Sequence, residues 1–173
     1  MSPASDLLAE TGAAAAHSLK VFLPSSFSLA LASEKSDSAW ASQWQPISRR
    51  VPPNGGWDWP KCRLAGSSDP TRLCLAMWNK SESELCGFLA VRLNNTACCI
   101  EGVEGCPNPI HGMRGLVLLV AIEFASMYAQ ANGRREVWIC KPANDMLLWH
   151  LLNDYCFELA APDTGAAFCR REV

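Results

Sequence analysis

The sequence has 173 residues, 49% of them hydrophobic and 18% charged, which supplies a packed core and excludes a disordered chain. Fifteen basic against seventeen acidic residues leave a net charge of −2. That balance excludes the basic excess by which nucleic-acid binders neutralise phosphates.

In chain order, residues 4–17, with Leu7, Leu8 and several alanines, predict a helix. Residues 18–35 predict one or two strands around Val21–Leu23 and Leu29–Leu31. Residues 36–60 are rich in Ser, Pro, Gly and Trp and predict a loop. Its tryptophans, at 40, 44, 57 and 59, either close one end of the core or form a lid or partner surface. Arg72–Asn79, Leu85–Leu93 and Ala97–Val103 predict strands separated by Ser and Asn turns. Cys62, Cys74, Cys86 and Cys98 recur every 12 residues, a spacing that reads as a regular β-meander.

Residues 105–115 form a turn-rich loop that leads into an apolar helix, Leu116–Ala131, closed by Asn132-Gly133. Glu136–Cys140 predicts a strand, Met146–Leu152 a helix after Asn144, and Cys156–Leu159 a last strand. Strand–helix–strand order requires a parallel pair with a crossover. The expected fold is therefore α/β: one domain with a mixed, mostly antiparallel sheet and helices on both faces.

The longest apolar run, Leu116 to Ile122, falls far short of the roughly 20 residues that span a bilayer, so no membrane segment is expected. No secretion signal is legible at the N-terminus, and the nine cysteines form no C-x-x-C pair. Most lie among apolar neighbours, where reduced cysteine acts as a small hydrophobe. A cytoplasmic protein with structural thiols is expected. A thiol hydrolase built from Cys140 or Cys156 with His150 lacks any accompanying signature. Zinc at Cys98, Cys99, Cys106 and His111 fails on spacing, because adjacent strand residues face opposite ways.

From about residue 72 to 160 the order of elements resembles the GNAT N-acetyltransferases. The resemblance rests on the meander, the loop 110–115, the long helix, the following strand and the Asn-led helix. It implies acetyl-CoA as co-substrate and an amine acceptor of small-molecule or protein type. In this reading the loop His111, Gly112, Met113, Arg114, Gly115 and Leu116 holds the CoA pyrophosphate, with Asn144 nearby. A helix N-terminus offers free N–H groups and partial positive charge to such a ligand; the alternative is an ordinary glycine turn. The loop departs from the family's Arg/Gln-x-x-Gly-x-Gly/Ala, since no register here reproduces it.

The resemblance also calls for a carboxylate base near the fourth strand, where Glu101 and Glu104 stand. Three residues apart on a regular strand, they should face opposite sides, with one at most in the cleft. Leu151 and Leu152 stand at the usual positions of the family's thiolate-protonating tyrosine; Tyr155 and His150 are the nearby substitutes, and His150 reads more readily as a packed helix residue. A second functional reading is a GNAT-like fold without catalysis that binds a protein partner through the Trp-rich segment. An exposed apolar edge would open the way to a homodimer.

Overall fold

The computed structural model describes residues 3–48, 50–52, 54–79, 83–108, 110, 112–140, 142–160 and 168–173. Among the described residues seven strands form one sheet: β1 (Ser28–Leu31), β2 (Arg72–Asn79), β3 (Glu84–Leu93), β4 (Ala97–Gly105), β5 (Glu136–Cys140), β6 (Glu158–Ala160) and β7 (Phe168–Glu172). They lie in the order β1-β2-β3-β4-β5-β7-β6. Only β4 and β5 run parallel; every other neighbouring pair is antiparallel. The sheet is thus mixed and mostly antiparallel, as the sequence predicts.

Two apolar cores sandwich it. On one face α1 (Pro3–Ser18) and α4 (Val117–Ala131) cover Leu75, Met77, Leu89, Val91 and Ile100. α4 buries Val117, Val120, Ala121, Phe124, Ala125 and Tyr128, a spacing of three and four residues that turns one stripe to the sheet. α5 (Asp145–Asn153) adds Leu151 to the same core. The other face carries α2 (Glu34–Ala39), a π turn at Trp40–Trp44, and α3 (Trp59–Ser68). Here Trp44 and Trp59 pack on Phe88: Trp59 stacks at 4.8 Å between centroids and Trp44 meets it edge-on at 5.5 Å.

The N-terminal third departs most from the sequence expectation. Residues 18–35 yield one four-residue strand, and of the expected loop 36–60 the residues 36–44 and 59–60 are helical. α3 begins where Asp58 caps it: the carboxylate accepts from Lys61 N at 3.1 Å, and Pro60 occupies the first turn. Cys62 therefore sits on a helix, so the twelve-residue cysteine period covers only three strands, through Cys74, Cys86 and Cys98. The expected last strand begins two residues later than predicted, at Glu158, and β7 has no counterpart among the predicted elements; it enters between β5 and β6. None of the nine cysteines is in a disulfide, and five of them are buried.

Candidate functional site

β4 and β5 pair only from Ala97–Ile100 to Glu136–Ile139. Beyond that point β4 continues to Gly105 while β5 stops at Cys140, so the two strands part. The parting opens a cleft of about 330 Å3, lined among others by Trp57, Arg92, Cys99, Glu101, Cys140 and Leu147. Burial pushes the Cys99 thiol up to about 11, so this thiol is uncharged at neutral pH.

A bulge sits at the same point. Ala90 pairs with Gly102 and Val91 with Ile100, leaving Glu101 without an opposite residue. The extra residue corrects the expectation that Glu101 and Glu104 face opposite sides. Glu101 lines a side cavity of about 210 Å3 together with Trp57 and Trp59. Glu104 bonds to Trp59 on that same face.

Their surroundings differ. Glu104 is buried and accepts from Gly56 N at 2.8 Å, Trp59 Nε1 at 2.8 Å and Trp57 N at 3.4 Å. Arg50 stands 3.9 Å away. A carboxylate so engaged fixes the segment 56–59 against β4, and Glu104 is not among the residues that line the cleft. Glu101 is part-exposed and lies between Arg92 Nε at 3.0 Å and Arg72 Nε at 3.4 Å. It accepts a long hydrogen bond from Arg72 Nη2, also 3.4 Å. Glu101 is the carboxylate that meets the cleft.

The loop before α4 is the expected phosphate cradle. His111 lies outside the described residues. Met113 is fully buried in the first core, so its side chain does not stand over the loop. Gly115 has φ +80° and nothing within 4 Å of an added Cβ, so the left-handed backbone itself calls for glycine there. A Cβ on Gly112 would approach Asn79 Nδ2 to 3.0 Å, so this glycine lets the loop lie against the end of β2. Arg114 is exposed, Leu116 N bonds to Met113 O, and Leu116 gives α4 no side-chain cap. The first N–H groups of α4 thus lack a side-chain partner at their N-cap, which suits an anion.

Asn144 caps α5: its side-chain oxygen accepts from Leu147 N at 2.9 Å. Its amide donates to Asn54 Oδ1 at 3.2 Å, tying α5 to the segment that carries Trp57. Tyr155 is not among the residues that line the cleft; it packs half-buried against the first core. Burial, then the Asp154 charge, raises its phenol. Its expected role at the cleft is therefore not supported by its position. His150 pairs with Asp154 on α5, again away from the cleft lining. Sequence reasoning missed Arg72 and Arg92, which line the side cavity and the cleft, and it named Trp57 and Cys140 without placing them at this cleft. Only the alternation of β2 and β3 could have placed the two arginines together, as cross-strand partners.

Trp44 and Trp59, two of the four tryptophans of the proposed partner surface, are core residues. Trp57 remains beside the cleft.

No family model matches the sequence, and no curated protein matches it. Solved structures do resemble the fold. An acetyltransferase from Thermus thermophilus superposes with a TM-score of 0.59 at 16% identity, over 88% of this chain and 99% of that one. A GNAT-family acetyltransferase from Staphylococcus aureus gives 0.58 at 9% identity, over 84% and 98%. The PaiA N-acetyltransferase of Thermoplasma acidophilum, in complex with coenzyme A, gives 0.54 at 15%, over 86% and 99%. Identities this low speak for backbone architecture alone. The order of strands, the parting of β4 from β5 and these superpositions together establish a GNAT-like fold.

Proposed function

We propose that the protein is an acyl-CoA-dependent N-acyltransferase, with acetyl-CoA as the donor and an amine as the acceptor. The observation that carries the reading is the cleft where β4 leaves β5, with Glu101 at its bulge. The chain's own residues fit the donor: α4 begins without a side-chain cap, Gly115 keeps the loop backbone open, and Met113 is folded away into the core.

Acetyl-CoA supplies an acetyl group activated as a thioester. Glu101 accepts a proton from the acceptor's ammonium group, which frees the nitrogen lone pair. The amine then attacks the thioester carbonyl; a C–N bond forms and the C–S bond breaks. Of the two protons the nitrogen gives up, one ends on the CoA sulfur and one in solution. Trp57 walls the cleft on one side and Leu147 on α5 contributes to its apolar lining, restricting water at the reacting atoms.

The test is calorimetric titration of the full chain with acetyl-CoA and with CoA, repeated on Arg114→Glu and Gly115→Glu. Micromolar binding that both variants weaken at least tenfold, in proteins that still melt cooperatively, supports the reading. Absence of binding at millimolar cofactor overturns it.

A further inference from the structure

We propose that the acceptor is a zwitterion of the α-amino-acid class, an amine with a carboxylate on the same carbon and an apolar side chain. This rests on the acyltransferase reading and adds the substrate class.

The argument begins with charge. Glu101 stands between two guanidiniums, Arg92 at 3.0 Å and Arg72 at 3.4 Å, and Arg72 Nε is also 3.6 Å from Asp69. Two cations and two carboxylates leave this cluster neutral. A simple ammonium acceptor would have to displace a guanidinium from Glu101 and would then lie beside one uncompensated like charge, since Arg72 keeps Asp69. An acceptor that brings its own carboxylate avoids this. Its ammonium takes Glu101 while its carboxylate takes the arginine that Glu101 releases. Partners are exchanged and the net charge of the cluster stays at zero.

The geometry favours Arg92 as the released partner. Its side chain is 46% exposed and lines the larger cleft together with Glu101. A guanidinium fork matches a carboxylate in a bidentate pair. Arg72 is held differently. It lines the side cavity, remains paired with Asp69, and its Nε is buried without a hydrogen bond. The bonds around Glu101 are therefore long or misaligned, in contrast to the 2.8 Å bonds of Glu104, and such a cluster is easier to rearrange.

The side cavity gives the acceptor's remaining surface a place. It opens beside Glu101, with Trp57, Trp59, Cys62, Leu73 and Ala90 among its walls. Burial raises the Cys62 thiol, which keeps that wall uncharged. The cavity is about 210 Å3, and Trp57 and Glu101 line both spaces. An α-carbon placed between them would send an ammonium to Glu101, a carboxylate toward Arg92 and an apolar side chain under Trp57. A protein N-terminus lacks the adjacent carboxylate, and a polyamine has neither the carboxylate nor the apolar body.

The experiment uses the full chain, with CoA binding measured first by calorimetry. Release of CoA thiol from acetyl-CoA is then followed with L-phenylalanine and L-leucine, each against its amide and its decarboxylated amine, and with spermidine. The expected result is a kcat/KM at least tenfold higher for the amino acids than for the amides and amines. Arg92→Gln should erase that preference by raising KM for the amino acids alone, and Arg92→Lys should restore part of it. If CoA binds but amides, simple amines or spermidine turn over as well as the amino acids, the substrate class is wrong and the transferase reading stands. If CoA binds and none of these acceptors turns over, the substrate class is again overturned. If CoA does not bind, both readings fall together.

Discussion

Glu101 and Glu104 lie three residues apart on β4 yet face the same side of the sheet, because Glu101 is the extra residue of a bulge. The bulge separates their tasks. Glu104 is buried among the donors of residues 56–59, whereas Glu101 meets the cleft between two arginines. Glu104→Gln should lower unfolding stability by about 1–3 kcal/mol, because charge-assisted bonds to buried donors are lost. Glu101→Gln should change stability by less than about 1 kcal/mol, since its pairs are part-exposed. It should nevertheless lower acceptor turnover by roughly a hundredfold or more. Urea titration and thiol-release kinetics on both variants separate the two roles. Equal stability losses would contradict the assignment.

Trp59 joins β3 to the segment beside the cleft. It is fully buried, stacks on Phe88 and donates to Glu104. Trp59→Ala should cost about 3–5 kcal/mol. Trp40→Ala, at a half-buried ring of the π turn Trp40–Trp44, should cost clearly less. Thermal or denaturant melts of both proteins test the order, and a reversal would show that the tryptophans do not form the core described.

Gly115 makes a prediction about backbone alone. No neighbour lies within 4 Å of its missing Cβ, and its φ is +80°. Gly115→Ala should therefore cost about 1–2 kcal/mol through left-handed strain rather than collision. Gly115→Asn should cost less, because Asn tolerates that region better. If Ala and Asn prove equally harmful, a steric contact must exist there.

Alkaline pH should destabilise the fold through buried thiols. Burial pushes Cys74 and Cys98 from the ordinary 9.0 up to about 12. Between those values the unfolded chain loses protons that the folded chain keeps. Their contribution is fully present below about pH 9 and falls as pH rises toward 12. Each thiol contributes a slope of up to about 1.4 kcal/mol per pH unit. Chemical unfolding at pH 8, 10 and 11 measures it, and Cys74→Ala and Cys98→Ala should each flatten the curve. An unchanged slope in the double variant would assign the loss to other groups.

The elements legible in the sequence are those whose signals are local. α4 announces itself by its apolar spacing and by Gly133, whose φ of +68° ends the helix. β5 is bounded as predicted, and β2 to β4 follow their turns closely. The helix at Trp59 carries a start signal in Asp58 and Pro60, but proline and neighbouring glycines make the segment read as loop. The pairing of β7 with β5 is long-range, and no residue near 168–172 declares it. The same holds at the site. Glu101 is legible as a carboxylate on a strand, but the bulge that turns it toward Trp57 arises from the register with Ala90 and Val91. Arg72 and Arg92 lie twenty positions apart and meet only through antiparallel pairing. The expectation for Tyr155 rests on analogy, and half-burial in the first core explains why its side chain does not reach the cleft.

The interior position of β7 also orders events during synthesis. β6 leaves the ribosome first, but its neighbour in the sheet is β7 and not β5. Until Phe168–Glu172 emerges, β6 has no strand to join among the described residues and the edge of β5 that β7 covers stands bare. Premature termination just before residue 168 would therefore strip two strands from the sheet instead of one, and would leave a nascent chain with an open, adhesive border.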